Sequence, residues 1–366
     1  MFSELHVGHK RFIKIWLALI TVIFLLLGWL SVHIILLEKQ SSVQNHVLRM
    51  GATTVETGKT QPDPLPANAD FTPVTIGIYL DGIQNVSIKD SYWTATFYVW
   101  FSWKGDKSLE PGRTFQIIDA KMEKKELLDT YVGADGTNYQ NYKVVAKMTK
   151  FFNTTRVPLD DHMLNIYIED TSSDASRLRY IADPATNISS RVKVPGYLIT
   201  NIASVVKPHT YKTTYGDPRV AEGKRTTYSE YIFAVSIKQS TMGVYLKLFV
   251  GLFAGVTLTL GSFFIRPSDT GPRFGLPSAA YFGAVANTYL VSSLMPSTGQ
   301  FGLADLVTSI GLFTISLSVV ASLTSGYYYL RKDEKEFSRH LDRASWVAIF
   351  LGYVGVNILL PVVAFS

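Results

Sequence analysis

Residues able to do chemistry are few and scattered. The chain has no Cys, which excludes disulfides and thiolate metal sites. Asp160, Asp161 and His162 stand together as metal-ligand residue types. Neighbouring strand residues point to opposite faces, however, so the three do not converge on one ion. No Ser-His-Asp, paired-carboxylate or metal-spaced constellation stands out between residues 71 and 238. Asn85, Asn153 and Asn187 open Asn-x-Ser/Thr triplets, which matter only in a glycosylating host. The expectation is no enzyme, no catalytic residue, no cofactor and no metal.

The informative stretch is Phe263 to Thr298, and its centre is a helix. Phe274 to Leu294 is about long enough to cross a bilayer. Yet Gly275, Pro277, Ser278, Ala279, Gly283, Ala284, Ala286, Asn287, Ser292 and Ser293 make it small and polar. Such a helix belongs inside protein or beside water, not against lipid.

The elements that must position it follow from composition. The 366 residues are only 17% charged and the mean hydropathy is +0.15, which points to membrane spans. The balance of 35 Lys plus Arg against 29 acids is mild. No basic block is interleaved with stacking aromatics, so no nucleic-acid partner is expected.

Residues 1–37 read as a cytoplasmic N-terminus and a first span. Lys10, Arg11 and Lys14 precede an apolar run from Ile15 to Leu37. That run is longer than a signal-peptide core and no small-x-small cleavage site follows it, so it reads as an uncleaved signal-anchor. Residues 38–70 are a polar linker ending in a Pro-rich stretch, with KQSSVQNHVLRM able to prolong the helix. Residues 71–238 carry short runs rich in Val, Ile, Thr and aromatics, with Lys89-Asp90 as a hairpin signal. They predict an exported all-β domain, an antiparallel sandwich of the immunoglobulin-like kind. Residues 239–366 hold four further spans: Tyr245–Ile265, Phe274–Leu294, Leu303–Leu330 and Val347–Phe365. Arg266, Arg273 and the run RKDEKEFSRHLDR put the first and third links in the cytoplasm. Five spans result, with the β domain outside.

Phe71 to Ser366 resembles the pentameric ligand-gated ion channels, or Cys-loop receptors, which include cysteine-free bacterial members. Three pieces carry the resemblance. FFIRPSDTGPR before the small-residue helix, and Pro296 with Ser297 and Thr298 after it, are similar to the family's lead-in and exit of the pore helix; Pro267, Ser268, Asp269, Gly271 and Arg273 match. FNTTRVPLDDHML is similar to the signature loop through Pro158 and Asp160, with Lys150 and Leu164 where the cysteines would stand. WFSWKGD resembles the family's Trp-x-Asp strand end with one extra residue between Trp103 and Asp106, and LDRASW resembles the lead-in to its fourth helix. The first helix departs from the family, with Gly251 and Leu252 where a Pro is usual. The N-terminal helix is an addition to the usual plan.

The resemblance implies a homopentamer in a bacterial inner membrane, with the β domain on the periplasmic or extracellular side. It implies a pore lined by Gly275, Ala279, Phe282, Ala286, Tyr289 and Ser293, gated by Phe282 and Tyr289. Asp269 and Arg273 would stand at the inner mouth. Lys89, Asp90, Pro158, Asp160, Asp161, Lys238 and Pro296 would couple the β domain to the helices. A small-molecule ligand or a proton would be the stimulus, with lipid as a further partner; the sequence does not identify the ligand-binding residues. Pro272 stands where cation-selective relatives carry a carboxylate, and no ion selectivity is assigned. The alternative is a non-conducting membrane sensor or partner-binding scaffold with the same architecture.

Overall fold

The computed structural model describes residues 6–65, 70–213, 225–296 and 300–365. It divides into two compact units. One comprises residues 1–40, 153–160 and 241–366, the other residues 41–152 and 161–240.

The second unit is built on strands: β1 (Thr72–Ser87), β2 (Tyr92–Lys104), β3 (Phe115–Ile117), β4 (Ala120–Val132), β5 (Thr137–Thr149), β6 (Asp161–Asp170), β7 (Leu178–Ala182), β8 (Asn187–Ile188), β9 (Tyr197–Tyr211) and β10 (Thr226–Gln239). One short helix, Pro111–Thr114, precedes β3. In β2 the period of two is unbroken: Trp93, Ala95, Phe97, Val99, Phe101 and Trp103 are all buried, and the residues between them are not. One sheet runs β4-β5-β2-β1-β7 with β8 beside β1, the other β3-β6-β10-β9. A single apolar cluster draws on both, including Phe97 and Val144 from the first and Ile166 and Phe233 from the second.

The expected hairpin forms, with Lys89 and Asp90 in the turn and Ser87 Oγ donating to Asp90 Oδ2 at 2.7 Å. The purely antiparallel expectation is corrected. β1 pairs in parallel with β7 and β8. A parallel neighbour needs a crossover, and here the chain visits β6 in the other sheet before returning to β7 beside β1.

The other unit is helical. α1 (Val7–Met50) does not stop near Leu37 but runs on through the polar segment, so the linker expected from residue 38 begins only after Met50. Its residues to Gln40 belong to this unit and those from Ser41 to the sheets. Naming the short helix α2, the others are α3 (Gly243–Gly261), α4 (Thr270–Ser293), α5 (Leu303–Arg331) and α6 (Lys335–Phe365). The start of α1 lies along α6: Trp16 Nε1 donates to Ser345 Oγ at 2.9 Å, and Ile13 clusters with Phe337 and Leu341. α3 approaches α4 closely at Gly255, where a Cβ would stand 3.3 Å from the Ala280 carbonyl oxygen.

Four helices among the described residues are long and apolar enough to cross a membrane: Val7–Met50, Gly243–Phe264, Leu303–Arg331 and Lys335–Phe365. They mark a membrane protein. α4, the fifth expected span, has 24 residues that reach about 36 Å, but its Gly, Ser, Asn and Pro content leaves it less apolar than those four.

Candidate functional site

α4 has two distinct stripes. Arg273, Pro277, Ala280, Ala284, Asn287 and Val291 are buried, at alternating spacings of four and three. Asn287 Nδ2 donates to the Leu248 carbonyl at 2.8 Å and ties this stripe to α3. Gly275, Ala279, Phe282, Ala286, Tyr289 and Ser293 are all exposed on the other side. Phe282 is 72% exposed and Tyr289 77%. A helical repeat of 3.6 residues sets the two stripes about 200° apart, because their phases differ by two residues. Pro277 lies in the buried stripe without interrupting α4.

The inner-mouth pair divides. Asp269 is exposed at the start of α4. Arg273 is turned into the bundle, with no exposed side-chain surface, and its charge is matched by Asp342 of α6 rather than presented at a mouth. Its Nη1 also donates to the Ile265 carbonyl at 2.8 Å.

The expected coupling residues are placed in two groups. Residues 153–160 belong to the helical unit. Leu303 N–H donates to the Thr155 carbonyl at 2.6 Å, Thr154 N–H donates to Gln300 Oε1 at 3.2 Å, and Asn153 bonds to Glu38. Within this segment Asp160 is buried and the Val157–Pro158 peptide is cis. Pro296 is half-buried; Ser297 to Gly299, the rest of the expected outer link, lie outside the described residues. In the sheet unit Lys238 stands directly across from Asp161 in the β6–β10 ladder, and Lys89 and Asp90 are exposed. His162 is buried with its ring 4.9 Å from that of Phe152, while Asp161 is half-buried. Trp103 Nε1 donates to the Asp106 carbonyl at 2.8 Å.

A cavity of ≈ 540 Å³ in the sheet unit had no counterpart in the sequence reading. Arg49, Glu56, Lys59, Tyr167, His209 and Glu230 are among its walls. Arg49 Nε donates to Glu56 at 2.8 Å and Nη1 to Asn165 Oδ1 at 3.2 Å, and Lys207 Nζ donates to the carbonyls of Leu48 and Arg49. A cation on the last carbonyls of a helix is favourably placed. Burial opposes ionisation of Glu56, but hydrogen bonds from Arg49 and Lys59 hold its carboxyl below the usual range.

Glu169 of β6, His209 of β9 and Glu230 of β10 come together with their ligand-type atoms all within 4.8 Å of one another, and His209 and Glu230 line this cavity. His209 Nδ1 is 2.5 Å from Glu169 Oε1 and 3.8 Å from Glu230 Oε1, and Tyr211 Oη donates to Glu169 Oε2 at 2.9 Å. The hydrogen bond to Glu169 raises the His209 imidazole, and burial pushes Glu230 up to about 7. The strand period was a usable signal, since Lys207, His209 and Tyr211 alternate along one face. Nothing local to the sequence says that β6 and β9 flank β10.

No family model matches the chain, and no curated protein is detectably similar to it.

Proposed function

We propose that the chain is one subunit of a pentameric channel of the ligand-gated type, with α4 lining an axial pore and the sheets forming an exported, immunoglobulin-like sensing sandwich. One observation carries the reading: the six α4 positions implied by the family resemblance form a single exposed stripe opposite the stripe packed into the subunit. The stripe is Gly, Ala, Phe, Ala, Tyr and Ser, with no large aliphatic side chain to offer lipid, so in a membrane protein other copies of the chain or water would cover it. Five copies around an axis supply both.

On this reading Phe282 and Tyr289 form two aromatic rings, and the Phe282 ring closes the resting pore by excluding water. The segment 153–160, bonded to the start of α5, is the part of the β-domain sequence that moves with the helices. The N-terminus is cytoplasmic and the sheets lie outside, following the basic residues of the links.

The test is reconstitution of the purified protein in liposomes, with native mass measurement of the oligomer. A pentamer that passes ions, and whose Phe282→Ala variant leaks without stimulus, supports the channel. A pentamer whose conductance stays at the empty-liposome level in both forms makes it a non-conducting scaffold. A monomer ends the pore reading.

A further inference from the structure

The cluster at Glu169, His209 and Glu230 does not belong to α4 or to the coupling residues. From its geometry we propose that it is a divalent transition-metal site, of the class that takes Zn²⁺, with Glu169, His209 and Glu230 as ligands and the adjoining cavity supplying the remaining coordination position.

Three features support the assignment. First, the ligands come from adjacent strands of one sheet, in the order β6-β10-β9, so their spacing is held by backbone ladders rather than by a loop. Second, the separations fit. Donors at about 2.0–2.2 Å from a tetrahedral ion lie roughly 3.3 Å apart. The observed 2.5 Å and 3.8 Å from His209 Nδ1 bracket that value, and all three donor atoms lie within 4.8 Å of one another. Third, the cluster's carboxylates are shielded from water. Glu169 has no exposed side-chain surface and Glu230 very little, and both face one imidazole. Lys59 and Lys207 also line the cavity and act on Glu230 through space, while their hydrogen bonds go to Glu56 and to the end of α1. Tyr211 Oη fixes the second oxygen of Glu169, the kind of outer contact that orients a ligand.

An imidazole with two carboxylates suits Zn²⁺ or another first-row ion better than Mg²⁺ or Ca²⁺, which prefer all-oxygen shells. Binding displaces the proton shared by His209 and Glu169 and leaves Nδ1 as the metal donor.

The experiment titrates the full-length protein in detergent with Zn²⁺ alone by calorimetry, and with Co²⁺ by visible absorption. One saturable ion per chain is expected, with affinity at least ten-fold weaker in His209→Gln and in Glu230→Gln. The His9→Gln variant, which removes the His–carboxylate pair with Glu334, should bind like the parent. In the unmodified protein, Zn²⁺ should also protect His209 from diethylpyrocarbonate as read by mass spectrometry, an outcome that needs no variant to fold. No saturable binding, equal binding in His209→Gln, or loss in His9→Gln instead would overturn the site. None of these readouts depends on conduction, so the site and the pore stand or fall separately.

Discussion

Arg273 and Asp342 close a two-point ion pair inside the helical unit, with Nη2 2.6 Å from Oδ1 and Nη1 3.0 Å from Oδ2. The pair joins the first turn of α4 to α6 across 69 positions of chain. It anchors the pore-candidate helix to α6. Arg273 Nε has no hydrogen-bond partner among the described residues, so the guanidinium is incompletely satisfied and depends on Asp342 for its charge balance.

Breaking one half of the pair is therefore expected to cost more than replacing both. Asp342→Asn leaves a buried, unbalanced guanidinium and should destabilise the protein by about 3–5 kcal/mol, whereas Arg273→Met with Asp342→Leu should recover most of the loss. Thermal unfolding in detergent, followed by Trp fluorescence, measures both. Equal loss in the single and double variants would show that the pair does not carry the contact.

If α4 lines a five-fold axis as proposed, Phe282→Ala should open it: five small side chains would no longer exclude water, and liposome flux without stimulus should rise at least about ten-fold over the parent. Tyr289→Ala should do so less if Phe282 remains the narrower ring. Flux unchanged in Phe282→Ala would remove Phe282 as a gate.

Gly302 has no room for a side chain. A Cβ there would stand 2.5 Å from the Thr155 carbonyl oxygen and 2.7 Å from its Cα, both backbone atoms. Gly302→Ala should push residues 153–160 away from α5 and destabilise the helical unit by roughly 1–3 kcal/mol. Limited proteolysis should then cut between Asn153 and Asp160 faster than in the parent. An unchanged cleavage rate would show that the segment is held by other contacts.

Lys150 supplies a pH dependence in the sheet unit. Burial, reinforced by Arg49, lowers its ammonium from 10.5 to about 7. Between those values the unfolded chain binds the proton and the folded chain does not, so stability from this group rises with pH across that window. Lys150 is half-buried, and below about 7 the full penalty of its partly desolvated charge is present. Lys150→Met should accordingly stabilise the protein most at pH 6 and progressively less towards pH 10. A gain that is flat over that range would mean that Lys150 stays charged throughout.

Much of the scaffold was readable because periodicity is local in the chain. Residues two apart share a strand face, and the burial of Trp93 through Trp103 follows that rule directly. Residues three and four apart share a helix face, which is why Gly275, Ala279, Phe282, Ala286, Tyr289 and Ser293 emerge together on one side of α4. The same rule held a correction for Arg273. It precedes Gly275 by two residues, about 200° round the helix, and so belongs to the stripe that faces inward.

What periodicity cannot supply is the partner. That Asp342 receives Arg273, that β7 returns in parallel beside β1, and that Glu169 and His209 flank Glu230 are all decided by register between distant segments. Such register is set by the total burial and hydrogen bonding of whole sheets and bundles, to which each local run contributes only a face. The sequence by itself determined which faces exist and which helix is too polar for lipid. Only the tertiary structure decided which faces meet, because a contact between segments far apart in the chain is selected by the packing of all of them together.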